Sequence, residues 1–486
     1  MLAKGGALQY AYGVDDWAFA LRSSIVREQL AQARFGGAGL SRLLQGLNGE
    51  SVHSPLAWVA VLIAVQALFG ALIARHWHLE RRVVLGIAAA SLIAIHPYTC
   101  ESLHLRSAIA HTAVSQGLLL LLLIPQRWTV RRLAAGAVVF AAALSLYQLM
   151  LHYLVMAAIV GSAVAWGRYL RFAGRHGWSD RVRRVASWRR ILRHKVTALW
   201  ICAVGGTALY GVATLLYLWR FPVVLTSRTK LLALDVLRER ARQVAHRLAE
   251  ILIGQDPLVT RLAQGILLAL LGLALVGLVR WLRRGAVLRS SAAAGAAALG
   301  LGAGLIWSLG MTLVIQEFWP APRIVAPIAI VSAGALALAS LLNGRLVRRV
   351  SLAGALIVLL SFIGTDNRIF SEQVRLNQRD RLTANRIVER LENAPGFAAQ
   401  LPVVVHGTRW RYPLALRTTT FDLNISAFGA PWSKVEVLRE VSGYALSGAT
   451  SAQKAAAAEY CGTVEVFPAP TSVVVRDGLG IVCLEK

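Results

Sequence analysis

Long hydrophobic segments alternate with short polar segments from residue 56 to residue 364. A helix needs roughly 20 apolar residues to cross a bilayer. Several segments approach or reach that length: residues 56–74, 83–95, 107–124, 133–146, 150–166, 196–219, 262–279, 291–315, 324–342 and 351–363. Segments 83–95 and 133–146 are short, so we expect them to be tilted or re-entrant inside a bundle, where protein satisfies their backbone groups. The pattern predicts an α-helical polytopic membrane protein with about ten spans.

After residue 364 the pattern changes to that of a soluble domain. Segments 366–393, 432–441 and 452–460 have polar and apolar residues at helical spacing. Runs rich in β-branched residues predict strands at 401–406, 463–467, 472–476 and 481–484, with Asp477-Gly478 as a hairpin turn. We therefore divide the chain into an outer N-terminal segment with room for an interfacial helix (1–55), a transmembrane bundle (56–364) and an α+β domain (365–486).

Three local patterns add detail to this division. Residues 231–251 have apolar side chains at helical spacing with arginines between them, which predicts a helix that lies in the outer interface or packs on the bundle. The glycine-rich residues 36–39 follow no strand and predict a flexible turn. Cys461 and Cys483 either form a disulfide in an oxidising compartment or remain unpaired in adjacent strands.

The basic residues are concentrated in loops between the apolar segments. The chain carries 52 Lys and Arg against 24 Asp and Glu, a net charge of +28, and 56% of its residues are hydrophobic. The clusters lie near 75–82, 127–132, 168–195, 280–284 and 345–349. This distribution follows the positive-inside rule and favours contact with anionic lipids, so the charge does not indicate nucleic-acid binding.

Sidedness follows from these loops. If they are cytoplasmic, residues 13–55, the loop 96–106 and everything after 363 lie outside. Nothing in residues 1–13 would carry the N-terminus across the membrane. We therefore expect the natural reading frame to start upstream of Met1 and to encode one more helix.

Polar residues adjoin the apolar segments on the outer side and predict a cavity there, because polar groups near membrane depth are usually retained for a site or a pairing. They are Asp15, Asp16, Glu101, Arg106, Tyr147, Gln148, Glu317 and Arg323. Each also has an ordinary role: helix capping for either aspartate, a Glu101–Arg106 ion pair, snorkelling for Arg323, and the aromatic belt for Tyr147. His96, His104 and His111 have no convincing ligand spacing, and we expect no metal site.

Five short motifs occur in a characteristic order along the chain. They are Tyr12-Gly13-Val14-Asp15-Asp16-Trp17, His96-Pro97-Tyr98, the segment from Glu101 to Arg106, Ser145-Leu146-Tyr147-Gln148, and residues 467–478. Their order and topology resemble the GtrII-type glucosyltransferases over nearly the whole chain. Ala108 departs from the family pattern, which has an aspartate at that position.

The resemblance implies a GT-C-type enzyme of the bacterial inner membrane whose active site and C-terminal domain are periplasmic. Such an enzyme moves glucose from a polyprenyl-phosphate carrier to a surface glycan such as the O-antigen of lipopolysaccharide. The expected partners are polyprenyl-phosphate-glucose, the glycan acceptor, the bilayer, a flippase and a donor synthase. The lipid-linked sugar is the substrate, and no cofactor is expected; a requirement for a divalent metal is left open.

These expectations assign roles to the polar residues. The catalytic candidates are Asp15 and Asp16, and the substrate-binding candidates are Trp17, Glu101, Arg106, Tyr147, Gln148, Glu317 and Arg323. Asp16, or else Asp15, would accept the proton of the attacking acceptor hydroxyl. Arg106 or Arg323 would neutralise charge on the leaving phosphate, and Glu101 would orient sugar hydroxyls. Direct displacement would invert the anomeric carbon.

Two other functions remain open. A flippase or transporter of lipid-linked glycans would have matched half-repeats, and the sequence shows no internal repeat. A GT-C-type transferase for another sugar, such as mannose or aminoarabinose, would share the architecture. Sequence does not separate these sugars, because scattered polar side chains recognise their hydroxyls.

Overall fold

The computed structural model describes residues 2–20, 25–50, 52–124, 127–173, 178–221, 232–283, 288–408 and 416–485. Most of these residues are helical. The N-terminal segment contains α1 (Val14–Ala20), α2 (Ile25–Ala31) and α3 (Phe35–Gly46). The bundle follows with α4 (Pro55–His76), α5 (Val83–Ala94), α6 (Cys100–His104), α7 (Arg106–Leu123), α8 (Val130–Leu146), α9 (Met150–Ala173), α10 (Trp178–Arg220), α11 (Leu237–Ile253), α12 (Arg261–Arg283), α13 (Leu288–Trp307), α14 (Pro322–Val325), α15 (Ile328–Leu342) and α16 (Arg345–Glu392).

Each predicted hydrophobic segment is mainly helical, although the α-helix in segment 291–315 ends at Trp307 and segment 324–342 is interrupted between α14 and α15. Within the described ranges, seven helices are long and apolar enough to cross a membrane. They are Pro55–His76, Arg106–Leu123, Met150–Leu170, Val196–Arg220, Arg261–Trp281, Pro322–Leu342 and Arg345–Glu392. An eighth is added if α5 and Pro97–His104, bent by 44°, form one span. The polytopic helical class is thus shown, whereas the number of ten spans stays a prediction.

The centre of the bundle is α15, which packs against α5, α9, α12 and α16. Alanine occupies many of its positions, and small residues let neighbouring helices approach closely. Gly334 is one point of close approach, because a Cβ there would lie 2.3 Å from Val160 Cγ1. The surrounding helices instead expose leucine, valine and isoleucine, as expected of surfaces that face lipid.

Two short breaks in the helices bring polar residues to one end of the bundle. Pro97 cannot continue α5, and the chain bends there into α6. Tyr147 adopts an extended backbone conformation between α8 and α9, as the sequence predicts. Gly36 packs against the same region, because a Cβ there would lie 2.2 Å from Ser145 Oγ. The predicted flexible turn at residues 36–39 is therefore wrong: these residues belong to α3, and the close contact with Ser145 requires a small side chain at Gly36.

The amphipathic segment before the fifth long span packs on the bundle. In α11, Val244, Leu248 and Ile251 pack with the main hydrophobic core. Arg240 is buried and donates to the carbonyl oxygens of Thr312, Ile315 and Gln316. Of the two predicted positions, packing on the bundle is the one observed; Leu231, in the first part of that segment, lies outside the described residues.

The last long helix of the bundle, α16, continues into the C-terminal domain. It runs without interruption for 48 residues from Arg345 to Glu392. The sequence predicts a span at 351–363 and a separate helix at 366–393, with a domain boundary between 364 and 365. In the structure these are one helix, and the boundary falls inside it.

The C-terminal domain is a small α+β unit. Its elements are β1 (Pro402–His406), α17 (Lys434–Ser442), β2 (Ser447–Gly448), α18 (Ser451–Thr463), β3 (Val473–Arg476) and β4 (Leu479–Cys483). The sheet order is β2-β1-β4-β3, with β1 parallel to β2 and β4, and β3 antiparallel to β4. The hairpin turn at Asp477-Gly478 is confirmed, with positive φ at both residues. Cys461 and Cys483 form a disulfide between α18 and β4.

The two faces of this sheet pack against different helices. Val403 and Val405 face α16, α17 and Trp17 of α1, while Val404 faces α18. This alternation is the two-residue period of a strand. Because Trp17 packs in the same core as Val403 and Val405, the N-terminal helix α1 belongs to the core of the C-terminal domain.

The predicted strand at 463–467 is wrong. Helix α18 includes Thr463, and both edges of β4 are already paired with β1 and β3.

Candidate functional site at the domain-facing end of the bundle

Polar side chains converge where α16 leaves the bundle for the C-terminal domain, which we name the domain-facing end. Arg323 at the start of α14 is central to them. Its backbone N–H donates to Glu101 Oε2 at 2.6 Å, and its guanidinium bonds the other oxygen of Glu101. The same guanidinium donates to Asp422 Oδ2 at 2.8 Å. The alternative pairing of Glu101 with Arg106 is therefore wrong, because Glu101 pairs with Arg323.

Asp15 lies beside this cluster and is partly exposed. Its Oδ1 accepts the indole N–H of Trp432 at 3.0 Å. Burial and the neighbouring Asp422 raise the pKa of Asp15 to about 6, while Arg323 and Trp432 act in the opposite direction. A carboxyl group with this pKa is largely ionised at neutral pH and is still basic enough to accept a proton in a reaction.

Asp16 has different surroundings from its neighbour. It is fully buried, and Oδ2 accepts the backbone N–H groups of Gly13 and Arg106 at 2.8 and 3.0 Å. Oδ1 accepts the backbone N–H of Ser107 at 2.8 Å. Burial raises the pKa of Asp16, and these N–H groups oppose that shift. Asp16 thus satisfies free donors at the first turn of α7, as a capping residue does.

Arg106 is also occupied by main-chain groups. Its guanidinium donates to the carbonyl oxygens of Ala7, Gln9 and Ala11. The side chain is only 1% exposed. Arg106 and Asp16 together attach the N-terminal segment to the break between α6 and α7.

Tyr147 and Gln148 lie at the break between α8 and α9. The Arg34 guanidinium stacks over the Tyr147 ring with its carbon 4.7 Å from the ring centroid. Arg34 Nε donates to Gln148 Oε1 at 2.8 Å, and Gln148 Nε2 donates to Tyr210 Oη at 2.8 Å. Arg34, Tyr147, Gln148 and Tyr210 thus form one contact network at the break between α8 and α9.

The two other predicted substrate-binding residues have different positions. Trp17 is 1% exposed in the core of the C-terminal domain, with its ring edge-to-face with Tyr12 and beneath Arg381. Its side chain is therefore not accessible to a substrate in this conformation. Glu317 is partly exposed on the loop before α14. Trp319, on the same loop, packs edge-to-face against Phe421 with ring centroids 5.1 Å apart.

A loop of the C-terminal domain, residues 416–433, covers the site. Phe421 of this loop lies between Trp319 and Arg247, whose guanidinium carbon is 5.3 Å from the Phe421 centroid. Asn424 Oδ1 pairs with His104 Nε2 at 3.0 Å. The covering loop supplies Asp422 and Trp432, so the site is shared between the bundle and the domain.

Three site residues are absent from the sequence-based prediction: Arg34, Asp422 and Trp432. Asp422 and Trp432 lie in the soluble domain, and no local motif marks them. Arg34 follows a short polar helix, where a charged residue is normally solvated. The one available signal is that the C-terminal domain and residues 13–55 are predicted on the same side of the membrane.

A second buried polar cluster lies next to the site. Lys4 Nζ is 3.0 Å from Asp366 Oδ2 and 3.0 Å from Cys100 Sγ. Lys4 and Asp366 are 3% and 0% exposed. This ion pair connects the N-terminal segment to α16. Within the described ranges, no group of three or more His, Cys, Asp or Glu side chains is arranged to hold a metal ion.

No family model, no curated protein and no solved structure matches the chain.

Proposed function

We propose that the protein is a membrane glycosyltransferase that moves glucose from a polyprenyl-phosphate carrier to a surface glycan, on the side of the membrane that holds the C-terminal domain. One observation carries this proposal: Asp15, a partly exposed carboxylate, accepts the indole N–H of Trp432 at 3.0 Å under the same covering loop whose Asp422 pairs with Arg323. The site therefore has a proton acceptor next to charged groups that can bind sugar hydroxyls.

In the proposed reaction, a hydroxyl oxygen of the acceptor glycan attacks the anomeric carbon of the lipid-linked glucose. Its proton passes to Asp15, and the bond between the anomeric carbon and the phosphate oxygen breaks. Polyprenyl phosphate leaves with the electron pair, and the anomeric configuration inverts. Glu101 and Asp422, both held by Arg323, would orient hydroxyl groups of the sugar.

We assign the general base to Asp15 and a structural role to Asp16. Asp16 is 0% exposed and its oxygens accept three backbone N–H groups. A carboxylate with these partners is poorly placed to reach an acceptor hydroxyl. Asp15 has one hydrogen bond from Trp432 and is partly exposed.

The disulfide supports the proposed periplasmic location of the domain, because disulfides persist mainly in oxidising compartments. Sidedness is tested with single cysteines in a background without the native cysteines. Lys454→Cys, exposed on α18, should react with a membrane-impermeant maleimide in intact spheroplasts, and Arg349→Cys, exposed at the start of α16, should not. The reverse pattern would contradict the proposed orientation.

The reaction itself is tested with purified full-length protein, polyprenyl-phosphoglucose and an acceptor glycan. Asp15→Asn should lose about a hundred- to ten-thousand-fold in turnover, the usual effect of removing a general base. Normal turnover in a folded Asp15→Asn variant would rule out this base. Mass spectrometry of the surface glycan from a deletion strain distinguishes the functions: loss of one hexose side branch supports transfer, and loss of the whole glycan supports a flippase.

A further inference from the structure

Arg323 and Arg106, two arginines at the domain-facing end, each use two guanidinium nitrogens for acceptors within the protein. Arg323 is paired with Glu101 and Asp422, and Asp15 is a third carboxylate within its electrostatic range. Arg106 donates to three main-chain carbonyls. The acidic groups around Arg323 would repel a phosphate, because like charges at short range are unfavourable.

Arg34 differs from both. Among the residues that the structure describes, no carboxylate forms an ion pair with Arg34, and only its Nε has a hydrogen-bond acceptor. The side chain of Glu28, in the preceding helix, is exposed and accepts a hydrogen bond from Gln32. Stacking on Tyr147 and the bond to Gln148 fix the plane of the guanidinium. Its two terminal nitrogens form a fork suited to a phosphate.

An aromatic row begins next to Arg34 and follows α10. Phe35 stacks on Tyr210 with centroids 5.8 Å apart and lies 6.3 Å from Tyr217. Tyr217 in turn contacts Phe221 at 5.4 Å. Phe35, Tyr210 and Tyr217 are partly exposed, and Phe221 is 51% exposed. The positively charged guanidinium of Arg34 thus lies next to an aromatic surface on α10, a helix long enough to cross the membrane.

We propose that Arg34 binds the phosphate of a prenyl-phosphate lipid whose isoprenoid chain lies along Phe35, Tyr210 and Tyr217. This assignment rests on the proposed function and specifies where its donor binds.

The test measures the affinity of the purified full-length protein for farnesyl phosphate, without sugar or acceptor, by isothermal titration calorimetry in detergent. Farnesol and inorganic phosphate are the two comparison ligands. Arg34→Gln should weaken farnesyl phosphate binding by about ten- to a hundredfold, the range for losing a charge-assisted contact. Arg27→Gln and Arg42→Gln, at exposed positions in α2 and α3, are matched controls and should bind normally.

Two further variants separate binding from folding. Arg34→Lys keeps the charge but loses the fork, and its affinity should fall between those of the wild type and Arg34→Gln. Tyr217→Ala should weaken farnesyl phosphate and leave inorganic phosphate unchanged. If Arg34→Gln does not fold, the same comparison is made with Arg34→Lys, for which wild-type affinity would overturn the proposal.

Three results would overturn the assignment. One is unchanged farnesyl phosphate affinity in folded Arg34→Gln. Another is inorganic phosphate binding as tightly as farnesyl phosphate, which would indicate a site for a free anion. The third is farnesol binding as tightly as farnesyl phosphate. The binding assay contains no sugar and is independent of the transfer assay. Arg34-dependent binding of farnesyl phosphate, together with no glucosyl transfer in the separate activity assay, would therefore uphold this site and refute the proposed function.

Discussion

Trp432 donates its indole N–H to the Asp15 carboxylate at 3.0 Å, across 417 positions of sequence. Asp15 lies in the first turn of α1, and Trp432 lies in the covering loop of the C-terminal domain. The contact shows that the candidate base is held by both ends of the chain. Any motion of the covering loop changes the surroundings of Asp15 directly.

Transfer activity should depend on pH through Asp15. The base works when ionised, and its pKa is raised to about 6 by burial and by Asp422. Arg323, Asp16 and Trp432 also face Asp15 and contribute to this pKa. We expect kcat/KM to rise as the pH increases through about 6, where Asp15 ionises, and to level off above it. A pH profile from 4.5 to 8.5 checks this, and the residual activity of Asp15→Asn should lack the acidic limb. A flat wild-type profile would exclude the assignment.

Trp432→Phe should move that acidic limb to higher pH. The indole N–H stabilises the ionised carboxylate, so its removal raises the pKa of Asp15 further. The measurement is the midpoint of the pH profile. Trp58→Phe is the matched control, because it also removes an indole hydrogen bond, to the carbonyl of Gly49 at 3.1 Å. A downward shift for Trp432→Phe, or equal shifts for both variants, would contradict this reasoning.

Asp16→Asn should impair stability rather than chemistry. The amide has one acceptor oxygen and places an N–H against backbone donors of Arg106 or Ser107. We expect the free energy of unfolding to fall by about 2–3 kcal/mol, because a buried donor loses a charged acceptor. Unfolding in detergent measures this, and turnover per folded molecule should stay close to wild type. Normal stability with abolished turnover would transfer the role of base to Asp16.

The Lys4–Asp366 pair should show strong coupling. Lys4→Met leaves a buried carboxylate without its cation and should cost about 3–5 kcal/mol, and Asp366→Leu should cost a similar amount. The double variant should be more stable than either single variant, because no isolated charge remains. Thermal unfolding of all four proteins measures the coupling. Arg242→Gln, from an ion pair with exposed partners, is the control and should cost less than about 1 kcal/mol. Additive effects would refute the coupling.

The sequence predicts the helices of the bundle because hydrophobic periodicity is a local signal. The prediction of a helix end near residue 364, based on a change of composition, is wrong because α16 continues through it. The helix continues because the segment contains no proline, and Gly364 alone lowers helix stability by only about 1 kcal/mol. Likewise residues 463–467 have strand composition, but β4 has no free edge for them.

The site is predictable only in part, for a related reason. Asp15, Glu101, Tyr147, Gln148 and Arg323 border it, as the polar breaks between apolar segments suggest. The pairing of Glu101 with Arg323 joins residues 222 positions apart, and no periodic pattern encodes such a contact. Asp15 is partly exposed and Asp16 is buried, because adjacent side chains of a helix point about 100° apart.

The uninterrupted α16 makes the two ends of the protein mechanically dependent on each other. At 1.5 Å per residue its 48 residues extend about 70 Å, more than twice the hydrocarbon thickness of a bilayer. Deleting a single residue near Gly364 would turn everything beyond it by about 100° around the helix axis. Asp422 would then turn away from Arg323, although neither side chain had changed. The length of α16 therefore determines the geometry of the candidate site as much as the side chains that form it.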